Sequence, residues 1–131
     1  MKLTNEDTVA ITRVLALWGH LMDDHRLDRL GEVLAEDAVR DGSAFGFEPA
    51  VGLEAITTVL GAAGHARAHH TTNVVVSEEA GGTGGSSDEV RVRSKGLGVV
   101  DGGTVISVVY DDEVRRTPEG WRISRRSIRL T

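Results

Sequence analysis

Apolar residues recur every three or four positions through the first part of the chain, which is the spacing of one face of an α-helix. This predicts a helix over residues 4–24 with an apolar stripe of Ile11, Val14, Leu15, Trp18, Leu21 and Met22. Thr4 can cap this helix, and Glu6 and Asp7 favour the helix dipole in its first turn. The same spacing predicts a second helix over 27–37 and a third over 52–64.

From residue 68 onward the pattern changes to β-branched and alternating stretches, which are typical of strands. Four strands are predicted, over residues 69–77, 89–100, 104–116 and 120–130. Helices followed by a meander of long antiparallel strands predict an α+β domain with helices on one face of the sheet. The Gly/Ser-rich segment 81–88 is interpreted as a hairpin tip and not a phosphate-binding loop, because its glycines lead into a strand.

Length and composition narrow the class of protein. The 131 residues, 40% hydrophobic and 27% charged, fit one domain over 1–131 with room for a core and an internal pocket. A formal net charge of −5 argues against a nucleic-acid partner. The chain has no apolar run long enough for a membrane span, no signal-peptide pattern and no cysteine, which together predict a cytoplasmic protein.

One edge of the first helix is a candidate site. Thr12, Ala16, Gly19 and Asp23 fall in one row beside the apolar stripe, so three small residues lead to a carboxylate. The row either leaves open space that ends at an acid or lets another element pack closely against the helix. An acid near the C-terminus of a helix opposes the dipole, so its presence there needs a reason.

Two adjacent histidines open the first predicted strand, where neighbouring side chains point to opposite faces. One face would carry His69, Thr71, Asn73 and Val75, and the other would carry His70, Thr72, Val74 and Val76. Hydrophobicity alone would turn His70 inward, whereas the polar set with His69 suits a ligand cavity. A β-bulge would change which residues share a face. The residues alone therefore leave open which histidine faces inward, and whether it is catalytic or only bonded to a backbone carbonyl.

The remaining polar residues are weaker candidates. The five histidines do not provide three converging ligands, so no metal site is expected. Tyr110 and Asp112 share one face of a predicted strand and could offer polar groups to a cavity. In the last strand, Trp121 and Ile123 are expected to pack on the core, and the arginines to form a solvated face or a subunit interface.

Four segments, in this order, resemble the NTF2-like superfamily, and within it the SnoaL-like polyketide cyclases and scytalone-dehydratase-like proteins. They are LWGHLMDDHRLDRLGEVLAEDAV (17–39), VGLEAI (51–56), HHTTNVVV (69–76) and VVYDDEVRRTPEGWRISRR (108–126). The resemblance implies a cone-shaped barrel, with three N-terminal helices packed on a curved antiparallel sheet that encloses a pocket. It also implies a homodimer, since the strands leave an apolar-to-mixed sheet face without helix cover.

The resemblance also implies site residues. Family members that dehydrate or cyclise commonly use an Asp on the first helix and a His on the first long strand. The family's helix pattern falls on Trp18 and Asp23, and its strand pattern falls on His69 and Asn73. His69 is thereby expected to face the pocket. Two departures are that Trp18 stands where the family has tyrosine and that no histidine follows His70.

These observations predict a cofactor-independent acid–base enzyme (a dehydratase, cyclase or isomerase) for a small apolar oxygenated metabolite, polyketide-like, in secondary metabolism. Asp23 and His69 would be catalytic, and Trp18, Asn73 and Tyr110 would bind substrate, without a metal. One alternative is a non-catalytic small-molecule-binding or accessory protein. Another is an epoxide hydrolase or epoxide-opening cyclase, which would need Asp23 and Asp112 inside one cavity with a nearby arginine.

Overall fold

The computed structural model describes residues 2–77 and 88–131. Its first half contains helix α1 (Asn5–Asp23), a 3-10 helix (Leu27–Glu32), strand β1 (Leu34–Asp41), a 3-10 turn (Ser43–Phe45), strand β2 (Ala50–Val51) and helix α2 (Leu53–Ala62). Its second half contains strands β3 (Ala68–Val76), β4 (Glu89–Val99), β5 (Val105–Thr117) and β6 (Gly120–Leu130). The first and third predicted helices and all four predicted strands are therefore confirmed. The predicted hairpin tip lies, apart from Asp88, outside the described residues.

The start of α1 is closed by a capping box. The Asp7 N–H donates to Thr4 Oγ1 at 3.1 Å, and the Thr4 N–H donates to the Asp7 carboxylate at 2.9 Å. Asp7 also accepts hydrogen bonds from Trp121 Nε1 at 3.3 Å and Arg116 Nη2 at 3.1 Å. The hydrogen bond from the Thr4 backbone is the main reason that the pKa of Asp7 lies below its ordinary value. The helix start is thus fixed to β5 and β6.

The other end of α1 is a Schellman motif. His25 takes the left-handed conformation, with φ of 57°. The N–H groups of His25 and Arg26 donate to the carbonyls of Met22 and Leu21, which is the hydrogen-bond pair of that motif. The helix therefore ends directly after Asp23, and this carboxylate lies in the last turn.

The predicted second helix over 27–37 is wrong beyond Glu32. Residues 27–32 form the 3-10 helix, and β1 follows it, pairing in parallel with β6 and antiparallel with β2. A short apolar run does not separate a helix from a strand by periodicity alone, and here pairing with a distant strand decides. The sheet therefore has two more strands than predicted and one parallel junction in place of a fully antiparallel order.

The six strands form one curved sheet in the order β2-β1-β6-β5-β4-β3, and this sheet is not closed into a barrel. Helix α1 packs across β3, and α2 packs near β1. The core between helices and sheet includes Ile11, Leu15, Leu30, Val114 and Ile123, all fully buried, and Trp121 is buried as expected. No helix in residues 2–77 or 88–131 is long and apolar enough to cross a membrane.

Strand β3 contains a bulge that reverses its alternation. Asn73 has φ of 53°, and the pairing with β4 shifts by one residue beside it. Before the bulge, His69 is half-buried and His70 is exposed; after it, Val74 packs against the core and Val75 is exposed. The predicted common face of the odd-numbered residues therefore ends at the bulge, because an extra residue reverses the faces.

The helix-free face of the sheet is more polar than expected. Asp111 lies 2.7 Å from Arg93 and 3.5 Å from Arg129, and Arg125 lies 3.0 Å from Asp41. Such exposed pairs contribute little to stability, about 0–1 kcal/mol each. Charge rather than apolar area characterises this face, and the homodimer stays a prediction.

Candidate functional site

A cavity of about 480 Å³ lies between the concave side of the sheet, the second half of α1 and the end of α2. Its walls are mainly aromatic and aliphatic, and include Trp18, Met22, Phe45, Phe47, Leu60, Val108, Tyr110 and Ile128. Three side chains that can carry a positive charge also line it: Arg40, His65 and His69. A volume of this size with few polar groups is typical of a small-molecule site.

Asp23 and His69 form a hydrogen-bonded pair at the edge of this cavity. The distance between Asp23 Oδ1 and His69 Nδ1 is 2.7 Å. The same carboxylate accepts the backbone N–H of His69, at 3.0 and 3.1 Å from its two oxygens. The side chains of His69 and Asp23 keep 18% and 27% of their surface exposed. The carboxylate therefore fixes both the imidazole and the main chain that carries it, while solvent still reaches the pair.

This contact gives the two ring nitrogens of His69 different tasks. An ionised carboxylate only accepts hydrogen bonds, so Nδ1 of a neutral ring carries the proton and Nε2 keeps its lone pair. His69 belongs to the cavity wall and Asp23 does not, so a bound molecule meets the imidazole. Nε2 is then the atom that can take a proton from such a molecule, and the carboxylate stabilises the resulting imidazolium.

The close approach of β3 to α1 depends on Gly19. A Cβ atom at this position would lie 2.9 Å from the carbonyl oxygen of His69. One turn earlier, Thr71 Oγ1 donates to the Leu15 carbonyl at 3.5 Å. Of the two interpretations of the small-residue row, close packing is confirmed at Gly19, where β3 occupies the space beside the helix, while Thr12 and Ala16 lie at the exposed surface.

His65 stands near His69 at the end of α2. Their ring centroids are 6.3 Å apart in an edge-to-face arrangement, and His65 Nε2 contacts the Leu60 carbonyl oxygen. A carbonyl oxygen only accepts, so in neutral His65 the proton lies on Nε2 and the lone pair on Nδ1. His69 is the better-supported base because its partner is a carboxylate, which stabilises the protonated ring. Across residues 2–77 and 88–131, no group of three or more His, Asp or Glu side chains is arranged to hold a metal ion.

A buried ion pair supports the cavity floor. Arg126 Nε and Nη2 lie 2.9 and 2.8 Å from the two oxygens of Asp112, and both side chains are almost inaccessible. The guanidinium carbon of Arg126 lies 3.9 Å from the ring centroid of Tyr110 and 4.9 Å from that of Trp18, within cation–π range. Burial raises the pKa of Asp112, and the Arg126 charge opposes this shift. Arg126 thus packs against the aromatic rings of Trp18 and Tyr110, which line the cavity, without lining the cavity itself.

The inward position of Arg126 corrects the expectation that the arginines of the last strand are solvated. Pairing between β5 and β6 shifts by one residue at Ser124, so the alternation set by Ile123 reverses before Arg126. No local feature of the sequence marks this bulge. The available signal was Asp112, since an inward carboxylate needs a partner that compensates its burial.

The structure brings together four of the five predicted site residues. Trp18 and Tyr110 line the cavity with His69, and Asp23 contacts His69 from outside the wall. Asn73 does not take part: it is exposed at the bulge, which turns its side chain away from the cavity. The epoxide-opening alternative needed Asp112 beside Asp23, but Asp112 is sealed against Arg126 and does not line the cavity.

Comparisons with known proteins agree with this architecture. The SnoaL-like domain matches residues 4–127. A protein of Novosphingobium aromaticivorans provisionally named an aromatic ring hydroxylase has 30% sequence identity and a TM-score of 0.76, over 98% of this chain and 92% of that one. An NTF2-like protein with a cystatin-like fold from the same organism has 26% identity and a TM-score of 0.77, over 95% and 82%.

A third protein of that organism, provisionally named a scytalone dehydratase, has 23% identity and a TM-score of 0.72, over 95% of this chain and 83% of that one. At this identity the likeness concerns the fold alone. No curated protein sequence matches the chain. The family match covers nearly the whole chain, in agreement with the four segments that predicted it. The chain therefore belongs to the SnoaL-like domain family and has the NTF2-like fold.

Proposed function

We propose that the protein is a cofactor-independent acid–base enzyme that acts as a dehydratase, cyclase or isomerase. Its substrate is a small apolar oxygenated metabolite, polyketide-like, from secondary metabolism, and the enzyme works in the cytoplasm as a homodimer. The observation that carries the proposal is the 2.7 Å contact between Asp23 and His69 at the wall of an apolar cavity. Of two fold relatives, one is provisionally named a dehydratase, which is within the proposed reaction class, and the other an aromatic ring hydroxylase, which names a different reaction on a ring-containing substrate.

The first step is proton removal. His69 Nε2 takes the proton from the carbon next to a substrate carbonyl, and the C–H electron pair moves to give an enolate. His69 becomes an imidazolium, which Asp23 stabilises through Nδ1. A positioned base of this kind typically contributes about 10²–10⁴-fold to the rate.

The second step decides the product. In dehydration, the enolate electrons form a carbon–carbon double bond and expel a β-hydroxyl group, which takes the proton from His69 and leaves as water. In cyclisation, the enolate carbon attacks a second carbonyl of the same molecule, whose oxygen takes the proton. In isomerisation, the proton returns to a different carbon. Each route regenerates neutral His69.

The cavity supplies orientation. Trp18 and Tyr110 present flat aromatic surfaces, and Arg126 holds both rings in place from behind. A ring-containing substrate can lie against them with its reacting carbon near His69. Correct placement of the reacting atoms lowers the barrier by converting an encounter into an intramolecular step.

The test is proton–deuterium exchange at the carbon next to the carbonyl of 1-tetralone in D₂O, followed by NMR. His69→Gln should slow catalysed exchange at least about 100-fold, and Asp23→Asn should slow it by a similar order, because both act in one proton transfer. The double variant should be scarcely slower than His69→Gln alone. His70→Gln, which changes the exposed neighbouring histidine, is the matched control and should stay within about twofold of the unmodified protein.

Additive losses, or unchanged exchange in His69→Gln, would contradict the proposed pair. If the unmodified protein bound 1-tetralone without catalysing exchange, the non-catalytic binding protein would become the better interpretation.

A further inference from the structure

Arg40 brings a positive charge into the apolar cavity. It lies on β1 in register with Arg126 on β6, which is in turn in register with Asp112 on β5. The three residues form a row Arg–Arg–Asp across neighbouring strands on the concave face. Asp112 uses both of its oxygens for Arg126. Within residues 2–77 and 88–131, no hydrogen bond or ion pair engages the guanidinium of Arg40, which lines the cavity.

This arrangement leaves one positive charge without compensation. The row contains two guanidinium groups but one carboxylate, and that carboxylate is paired with Arg126. Burial lowers the pKa of Arg40; Tyr110 opposes that shift, and the neighbouring charge of Arg126 adds to it. Arginine nevertheless stays protonated in proteins, so Arg40 keeps its charge at neutral pH. Charges in such surroundings are normally paired.

On the opposite, helix-free face of the same sheet, arginines do have carboxylate partners, unlike Arg40. Arg125, one residue before Arg126, pairs with Asp41 on the helix-free face. Arg129 and Arg93 both pair with Asp111 on that face. The sheet thus provides carboxylates for arginines that face solvent, where pairing matters little, but not for the one that faces the cavity, where it matters more.

We propose that the substrate carries a carboxylate group and that Arg40 binds it. The planar guanidinium matches a carboxylate with two parallel hydrogen bonds, and the bound group would supply the missing negative charge. This inference deepens the proposed function, on which it rests: the substrate class becomes a ring-containing acid, anchored by Arg40 while His69 acts on another part of the molecule.

The test compares binding of 2-naphthoate with binding of 2-naphthamide, its neutral isostere, by isothermal titration calorimetry at neutral pH. The unmodified protein should bind the naphthoate at least about tenfold more tightly than the amide, an order expected for one charge-assisted bidentate contact. Arg40→Gln should abolish this preference and leave the affinity for the amide within about twofold. Arg40→Lys should keep part of the preference, because lysine retains the positive charge but cannot form the two parallel hydrogen bonds of a guanidinium. Arg93→Gln, on the helix-free face, is the matched arginine control and should change neither affinity.

A thermal measurement separates ligand binding from a structural role. Without ligand, Arg40→Gln should unfold at the same or a higher temperature than the unmodified protein, since it removes an uncompensated charge, and naphthoate should no longer raise that temperature. An unmodified protein without preference for naphthoate, a preference that survives in Arg40→Gln, or equal loss of both ligands in that variant would overturn the proposal. His69→Gln should keep the naphthoate preference, so failure at Arg40 and failure of the acid–base mechanism give different results.

Discussion

Helix α1 has an aspartate in its first turn and another in its last turn, and their surroundings differ in kind. Asp7 lies where the helix dipole favours a negative charge, and its partners Thr4, Arg116 and Trp121 connect the helix to the rest of the fold. Asp23 lies where the dipole opposes a negative charge, and its partners are the imidazole and the backbone N–H of His69. The same side chain therefore meets a favourable field at one end of the helix and an unfavourable one at the other.

The difference shows which features of a carboxylate indicate a functional rather than a structural role. Every contact of Asp7 stabilises the fold, so its position needs no further explanation. Asp23 lies against the helix dipole and contacts an imidazole that lines a cavity, which makes it a candidate functional group. Changes near Asp23 should accordingly reduce activity, whereas changes near Asp7 should reduce stability and leave activity unchanged.

Among changes to α1 that leave Asp23 itself in place, the largest effect is expected from Gly19→Ala, one turn before Asp23. The added methyl group would meet the His69 carbonyl oxygen at 2.9 Å, a backbone atom that cannot move aside without shifting β3. We expect exchange activity to fall at least about tenfold and stability to fall by about 1–3 kcal/mol. Tetralone exchange and chemical denaturation measure the two quantities.

Gly61→Ala is the control for this change, because it is also a glycine in a helix. Its added methyl group would meet a Leu27 side chain at an ordinary 3.7 Å. This variant should keep full activity and be as stable as the unmodified protein or more so, since alanine favours a helix by about 0.5–1 kcal/mol over glycine. Equal behaviour of both variants would show that the approach of β3 to α1 does not matter.

A smaller effect is expected at the start of the helix. Thr4→Ala removes the hydroxyl that accepts from the Asp7 N–H, and loss of such a cap costs about 1 kcal/mol. Activity should remain, since the cavity lies at the other end of α1. Thr12→Ala, on the exposed side of the same helix, is the control and should leave stability nearly unchanged. A loss of activity in Thr4→Ala would mean that the two ends of the helix are coupled.

The smallest effect is a change with pH. The pKa of Asp7 is lowered in the folded protein from its ordinary 3.8, so its ionised form stabilises the fold above that pH. This contribution is lost as the pH falls through the lowered value. Asp7→Asn should therefore unfold at a lower temperature than the unmodified protein at neutral pH, and the gap should close in strong acid. A gap that is constant with pH would show that the charge of Asp7 contributes nothing.

The parts of the fold that could be predicted from the sequence are those with a local pattern. Helix α1 and the strands β3–β6 have clear periodicity, and their ends were predicted within a few residues. Strand β1 has no such pattern, since it depends on parallel pairing with β6, which is far away in sequence. For this reason Arg40, which β1 carries to the cavity, was not among the predicted site residues.

The residues of the candidate site also divide into those that the sequence predicts correctly and those that it does not. Asp23 stood out by its helix position, and the family resemblance selected His69 over His70. Asn73 and Arg126 were assigned to the wrong surroundings because each follows or forms a bulge, and one extra residue in a strand reverses every face beyond it. Bulges are decided by pairing between strands, and the composition of a single strand does not reveal them.

Because of the bulge at Asn73, the number of residues in β3, and not only their type, determines the site. Val74 and Val76 anchor the far half of β3 in the core, and the near half carries the imidazole toward the cavity. Losing one residue at the bulge would leave the anchored half in place and exchange the directions of His69 and His70. Two homologues could thus contain the same chemical groups in the same order, one with the imidazole of His69 in its cavity beside Asp23 and the other with that imidazole turned outward. Insertions and deletions in this short segment are therefore as informative about activity as substitutions of the histidine itself.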